Sequence, residues 1–520
     1  MQTIQIQEVG RIKEIRKSIA KITGLTRCMI GQLVHFNDNA KGIVVGFNSG
    51  EVVTFLLGRI EEIRVGDPAY SSMEPFTVPA GEAFLGRIVN ALAEPMDGKG
   101  PIQGTGDRVQ GTEKKLNPEP RTLNPERYPV FRKAPGVLQR IPVSRTFETG
   151  VLTIDATIPI GKGQRELIIG DRMTGKTSIC TDAILNQKDK DVICVYCCIG
   201  RTYSSLLKIV ELLKGKGALD YTIVVAAHAA SPGGEQYLAP YTACALGEYF
   251  MDNGKDVFIV FDDLTKHAWA YRQLSLLLER PPGRDAYPGD IFYLHSQLME
   301  RAGQYSPEFG GGSITFFPIV DTLQGDVTGY IPSNLVSMTD GQIYMNTYLF
   351  NSGFKPAIDL GLSVSRVGNK VQCSAVKELS GMLRLEYVRY NELLKITRFK
   401  ASVSEAVNQR LREGEALTQF FMQMNNEPSP LELQIILLYA LRRKILAVLA
   451  RGEIDYFKKN IYGFMREKFP DVVREVGDKK ELTPELRRGL DDAFLAFFKD
   501  KGMADKYQVT SNQLPETRNG

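Results

Sequence analysis

Apolar and polar positions alternate in short runs over the first eighty residues. Gly42-Ile-Val-Val-Gly-Phe47, Glu51-Val-Val-Thr-Phe-Leu56 and Arg59-Ile-Glu-Glu-Ile-Arg64 are separated by Gly, Asn or Asp turns. Short strands at that spacing predict a small all-β domain, a barrel, over residues 1–78, with Val78-Pro-Ala-Gly81 as a linker. A polar stretch from Gly104 to Pro135 follows, in which Leu-Asn-Pro-Glu occurs twice. Two copies seven residues apart make no structural repeat, and the prolines predict an extended excursion. From Leu152 to Ser365 the pattern changes. Continuous apolar runs at Leu167–Ile169, Val192–Ile199, Thr222–Ala226, Val257–Phe261, Ile314–Ile319 and Ile343–Tyr348 read as buried strands. Helical spacing at Tyr237–Met251 and Lys266–Leu278 lies between them, so residues 79–372 are expected to form an α/β domain with a mainly parallel sheet covered on both faces. Beyond residue 373 the spacing is helical, clearest in Leu431–Ala450, where Leu433, Ile436, Leu437, Tyr439, Ala440, Ile445 and Leu446 make a broad apolar face. A helical C-terminal bundle over 373–510 and a frayed tail over 511–520 complete the expected order.

Composition narrows the classes. The 520 residues contain 64 basic and 60 acidic side chains, and a net charge of +4 gives no support for a nucleic-acid or membrane-binding surface. No apolar run approaches the roughly 20 residues of a membrane span, and the first residues lack the basic and apolar regions of a signal peptide. Seven cysteines, an odd number, suit a reducing compartment. Cys194 and Cys197 have redox or zinc spacing, but they lie within Val192–Ile199. With only four histidines in the chain and no second cysteine pair, they read as small buried hydrophobes.

One stretch carries chemistry on its own letters. Gly170-Asp-Arg-Met-Thr-Gly-Lys-Thr177 matches G-x-x-x-x-G-K-[ST], preceded by an apolar strand and followed by a helix with apolar Ile179, Ala183 and Ile184. Strand, glycine-rich turn and helix is the setting in which backbone N–H groups wrap phosphates. Lys176 would place its ammonium on the outer phosphates and Thr177 its hydroxyl toward Mg²⁺. Such a loop needs a carboxylate to orient the metal's water shell. Val257–Phe261 delivers two, Asp262 and Asp263, at its carboxyl end. Either could instead cap the next helix; the pairing with the phosphate loop favours Asp262 for the metal.

The phosphate loop, the run Asp262-Asp-Leu-Thr-Lys266, Tyr271-Arg-Gln-Leu-Ser-Leu-Leu-Leu278, Arg280-Pro-Pro-Gly-Arg-Asp-Ala-Tyr-Pro-Gly-Asp290, Ser337-Met-Thr-Asp-Gly-Gln-Ile343 and Ser363-Val-Ser-Arg-Val-Gly368 together resemble the alpha subunits of F-type ATP synthases over nearly the whole chain. The resemblance implies a RecA-like central domain. It also implies an alternating heterohexamer with catalytic beta subunits around a gamma shaft, peripheral to the cytoplasmic face of the cell membrane and touching the bilayer only through the ion-translocating sector. ATP or ADP with Mg²⁺ would be held by Gly170, Asp171, Arg172, Thr174, Gly175, Lys176, Thr177, Ser178 and Asp262. Phe350, Lys355, Pro356, Gln423 and Asn425 would line the adenine pocket, and Arg366 would act as an arginine finger on the neighbouring subunit. A guanidinium, which cannot deprotonate, suits charge developing on a transferring phosphoryl group.

Several positions depart from that pattern. Met173 stands where alpha subunits usually have Gln. Arg201 stands where they have Gln and catalytic relatives have Glu, and Lys355 and Asn425 replace Arg and Gln. The leader that would meet the delta subunit and peripheral stalk is short, and the loop with the doubled Leu-Asn-Pro-Glu is long. A divergent or alternative form of the enzyme is the expectation. Two other classes share parts of the pattern. A homohexameric ATPase of the flagellar or secretion type would need a water-activating carboxylate where Arg201 stands. An RNA translocase similar to the terminator Rho would need an RNA-binding N-terminal domain, which the charge balance disfavours.

Overall fold

The computed structural model describes residues 8–36, 40–48, 50–102, 126–397 and 404–502. Residues 104–125 of the expected polar excursion and the 511–520 tail lie outside them. The chain forms two compact units. The first comprises Met1–Val143, Lys162–Ile169 and Gln187–Asp340; the second comprises Ser144–Gly161, Gly170–Asn186 and Gly341–Gly520.

The expected barrel is present in the first unit. Six antiparallel strands close on themselves in the order Glu8–Arg16, Ile19–Thr23, Glu51–Gly58, Ala40–Asn48, Gln32–His35, Pro68–Pro75. Closure leaves no edge unpaired, and the interior is filled by Ile12, Ala20, Ile22, Val34, Val44, Val52, Leu56 and Ala69. Two expectations fail at its margin. Arg59–Arg64 is not a strand but holds a 3₁₀ turn over Ile60–Glu62. Its two isoleucines are three residues apart, the spacing that puts side chains above one another on a 3₁₀ helix, and both pack on the barrel core. Val78–Gly81 is not a free linker either: Thr77–Ala80 pairs antiparallel with Glu126–Pro129, the end of the expected excursion.

The same unit contains a parallel sheet in the order Glu166–Gly170, Ser313–Asp321, Asp256–Asp262, Val192–Ile199, Thr222–Ala227, Ile88–Val89. The apolar runs that lacked alternation are buried on both faces, as parallel strands are. Cys194, Cys197 and Cys198 in the strand Val192–Ile199 are fully enclosed, and no group of three or more metal-ligating side chains occurs among the described residues. Gly233–Asp252 and Leu264–Leu277 supply the expected helices.

The second unit carries the helix Lys176–Leu185, the antiparallel pair Gly341–Met345 and Val364–Ser365, and a C-terminal set of helices. The run Ile343–Tyr348 ends its strand at Met345 because Asn346 caps a short helix, its side chain accepting from the Tyr348 and Leu349 N–H groups. Leu431–Ala450 is likewise not one helix. It stops at Arg442, and Lys444 adopts φ 56°. Arg443 and Lys444 are drawn to different helices there, by Asp491 and Glu413. Phe457, Phe494, Phe497 and Phe498 form the aromatic centre of the final helices. No helix among the described residues is long and apolar enough to cross a membrane.

Candidate functional site

In the second unit the phosphate loop begins where the strand Glu166–Gly170 ends. Gly170 is required by crowding: a Cβ there would lie 2.5 Å from the Met345 carbonyl oxygen and 2.7 Å from the Met345 Cβ. Gly175, at φ 96°, turns the loop into the helix Lys176–Leu185 and precedes its first residue. That leaves the helix's opening N–H groups and positive dipole end at the loop, the arrangement that attracts phosphate. Lys176 is buried, and its ammonium donates to the carbonyls of Gly170, at 2.8 Å, and of Asp171. Thr174 donates its hydroxyl to the Asp171 carbonyl at 2.8 Å. The Asp171 carboxylate accepts from the Thr347 hydroxyl at 2.8 Å, so Asp171 braces the loop from outside. Arg172 and Met173 are exposed, Met173 at 90%. Thr177 and Ser178 are partly buried in the first helical turn. The loop's shape and donors fit a nucleoside phosphate.

The unit also gathers most of the expected adenine residues. Lys355 Nζ lies 4.8 Å from the centroid of the Phe350 ring, a cation–π contact, and the Lys355–Pro356 peptide is cis. The Gln423 N–H donates to the Lys355 carbonyl at 2.9 Å. The Gln423 side chain is engaged with backbone: its amide nitrogen donates to the Gly150 and Glu427 carbonyls, and its oxygen accepts from the Leu152 N–H. Its role here is to hold this loop. Asn425 is exposed, while the next residue, Asn426, donates its N–H to Asp182 on the phosphate-loop helix at 2.7 Å. This tie between the residue 423–426 loop and the helix Lys176–Leu185 was not legible in the sequence. Arg366 follows the strand Val364–Ser365 and is exposed. Ser365 donates to the Pro159 carbonyl at 2.7 Å and Ser363 to the Asp359 carbonyl at 2.6 Å, fixing the backbone that carries it.

Asp262 and Arg201 belong to the first unit. Parallel register sets Asp262 beside Cys198, so its side chain leaves the sheet on the face shared by Cys198 and Tyr196. Tyr196 donates its hydroxyl to Asp262 Oδ2 at 2.6 Å. The strand Val192–Ile199 then turns at Gly200, and Thr202 caps the following helix by accepting from the Ser205 N–H. Between them Arg201 folds onto the same carboxylate, with Nε and Nη2 at 2.8 and 2.6 Å from Asp262 Oδ1. Asp262 is completely buried. Burial works against the Arg201 charge, but Asp262, Tyr196 and Asp263 outweigh it and hold the guanidinium above its ordinary value. Burial, with Asp262 beside it, pushes the Tyr196 phenol well up, so it remains a donor. Asp263 is the cap of Leu264–Leu277, accepting from the Lys266 N–H at 2.8 Å. Burial together with the Asp321 and Asp262 charges pushes it up to about 7. The Asp262–Asp263 peptide is cis. Both Asp262 oxygens accept protein hydrogen bonds, Oδ1 from Arg201 and Oδ2 from Tyr196. Nothing in the sequence announced Tyr196, one residue in a uniformly apolar run.

In the segment Pro281–Asp290, Arg284 is exposed. Tyr287 turns inward, buried with the Arg272 guanidinium 4.7 Å from its ring.

Comparison with known proteins covers most of the chain. The ATP synthase alpha/beta family beta-barrel domain matches residues 5–72, the family's nucleotide-binding domain residues 150–365, and its C-terminal domain residues 372–497. ATP synthase subunit alpha of Caldanaerobacter subterraneus subsp. tengcongensis is 44% identical over 495 residues, covering 95% of this chain and 94% of that protein. The subunit alpha of Clostridium botulinum is 45% identical over 494 residues with the same coverage, and that of Clostridium acetobutylicum is 45% identical over 490. The chain belongs to the ATP synthase alpha/beta family.

Proposed function

We propose that this chain is the ATP-binding, non-catalytic alpha subunit of an F-type rotary ATP synthase. In this reading it alternates with beta subunits in a heterohexamer around a gamma shaft, peripheral to the cytoplasmic face of the membrane. The complex couples ion flow across that membrane to ATP synthesis or hydrolysis. Lys176, Thr177 and the loop amides bind the phosphates of ATP or ADP. Asp171 and Thr174 hold the loop, and Phe350, Lys355 and Pro356 receive the base beside the loop that Gln423 ties down. Mg²⁺, when bound, supplies charge neutralisation at the phosphates, with the Thr177 hydroxyl as its protein ligand. Arg366 reaches the catalytic site of the neighbouring beta subunit, and Pro281–Asp290, led by Arg284, faces the shaft.

The observation that carries the non-catalytic assignment is Arg201. Hydrolysis needs an acceptor that orients and polarises the attacking water; a cation already paired with Asp262 accepts no proton. The same observation weighs against the self-sufficient homohexameric ATPase, as does identity of 44–45% to proteins named subunit alpha. The test is steady-state turnover and ATP binding by the purified chain. Binding with negligible hydrolysis, and co-purification of beta and gamma subunits from the native membrane, are expected. Robust turnover by the chain alone would overturn the assignment.

A further inference from the structure

We infer that Lys458, on the C-terminal helix Arg451–Lys468, is a positioning residue for base recognition. Its ammonium holds the backbone from which the Gln423 loop springs, so this chain's preference for a nucleotide over a bare triphosphate depends on that charge. The inference rests on the reading of the phosphate loop and its neighbours as an ATP site, and every residue it uses lies in the second unit.

The helix Glu405–Phe421 runs into the loop through Met422, which is extended at φ −67° and ψ 130° rather than in the left-handed conformation that closes many helices. The last carbonyls of a helix lack donors within it and carry the negative end of its dipole. Lys458 supplies both the donors and the charge. Its Nζ donates to the Gln419 carbonyl at 2.9 Å, to the Phe420 carbonyl at 3.0 Å and to the Met422 carbonyl. An ammonium has three N–H groups, so each finds an oxygen. Burial lowers Lys458 to about 8 against the opposing field of Asp455, and at pH 7 it remains charged.

Met422 is one residue from the part of the loop that meets the base pocket. The Gln423 N–H donates to the Lys355 carbonyl at 2.9 Å, and Lys355 Nζ stands 4.8 Å from the Phe350 ring centroid. Further on, the Asn426 N–H donates to Asp182 on the phosphate-loop helix at 2.7 Å. The loop is therefore pinned at its start by Lys458 and later by residues on the nucleotide side. A neutral, apolar side chain at 458 leaves three carbonyls without their donor, and the backbone must move to find water for them. Movement at Met422 displaces Gln423, and with it the Lys355 carbonyl and the ring pair against which a base would rest. The phosphates, held by Lys176 and the loop amides, do not depend on that placement. A mere helix cap would lower stability and leave the relative affinity for the two kinds of ligand unchanged.

The experiment is isothermal titration of the full-length purified chain at pH 7 in excess Mg²⁺, with ATP and with inorganic tripolyphosphate. It is run on the wild type, Lys458→Met, Lys458→Gln and Lys176→Ala. The wild type should bind ATP the more tightly. Loss of charge-assisted hydrogen bonds should weaken ATP binding by Lys458→Met about tenfold or more, while tripolyphosphate changes by less than about threefold. Lys458→Gln, whose amide still donates, should fall between. Either folded Lys458 variant with the wild-type ratio of the two Kd values overturns the inference and leaves the ATP site intact. A second measurement needs no variant: hydrogen exchange of Met422–Asn426 in the wild type. Protection by ATP beyond that given by tripolyphosphate supports the inference, and equal protection overturns it. Failure of the underlying reading looks different. A wild type that binds neither ligand, or a Lys176→Ala that binds both as the wild type does, would remove the ATP site and the inference together.

Discussion

Arg301 is the largest fully buried side chain among the described residues, and its partner Glu248 is equally buried, each about 1% exposed. The guanidinium meets the carboxylate through two bonds, Nε to Oε1 at 2.7 Å and Nη2 to Oε2 at 2.8 Å, and gives a third from Nη1 to the Val130 carbonyl at 2.7 Å. Arg132 also approaches Glu248, at 3.8 Å, but is paired with Asp252 at 2.6 Å and cannot take its place. Glu248→Gln keeps the shape and removes the compensating charge, so a guanidinium is left buried without its counter-ion. Breaking one side of such a pair costs about 3–5 kcal/mol. For a large domain each kcal/mol moves the midpoint by about 2–4 °C, which puts the expected fall in Tm on the order of 10 °C. Scanning calorimetry of the purified chain measures it, beside Arg301→Met and the double variant Glu248→Leu/Arg301→Met. The double variant should recover much of the loss, since an apolar pair of similar volume avoids the desolvation altogether. A single-variant fall below about 2 °C, or a double variant as unstable as the two single losses added, would refute the argument.

Two further outcomes follow from the geometry. Gly170→Ala puts a methyl carbon 2.5 Å from the Met345 carbonyl oxygen; overpacking of this kind costs about 1–3 kcal/mol. The displaced loop should bind ATP about 5–150-fold more weakly by isothermal titration, and near-normal binding would contradict the cradle described here. Burial depresses His267 to about 4 and His295 to about 3, and neither His295 ring nitrogen has a hydrogen-bond partner. Both are neutral in the fold and protonate below about 6.5 once unfolded, so stability is fully present above that pH and drains away as pH falls toward 4. His295→Phe should make the loss in denaturant midpoint between pH 6.5 and 4.5 shallower than in the wild type; identical slopes would contradict it.

Much of this architecture was legible because its causes are local. The phosphate loop, the strand that feeds it and the acids at the end of Val257–Phe261 follow from residue order, and uninterrupted apolar runs have few places to lie except inside a parallel sheet. What was not legible depends on partners distant in sequence. Arg201 was visible as a departure, but its bond to Asp262 exists only because parallel register brings residue 198 beside residue 262. Gln423 carried the letter of a base-binding residue, yet the Gly150, Leu152 and Glu427 backbone claims its amide. The break at Lys444 comes from acids on other helices, and Arg59–Arg64 was assigned a strand because a period of three was read as a period of two.

The central claim is that this chain binds ATP at one site and acts, through Arg366, at another that belongs to a neighbour. It is tested most directly in the assembled complex, with multisite turnover and nucleotide occupancy of this subunit measured together for Arg366→Ala and Lys176→Ala. Arginine fingers contribute about 10³–10⁵ in rate, so Arg366→Ala should lose turnover on that scale while this chain keeps its nucleotide. Lys176→Ala should lose the nucleotide with a much smaller effect on turnover. Near-normal turnover with Arg366→Ala, or loss of this chain's own ATP in that variant, would contradict the account.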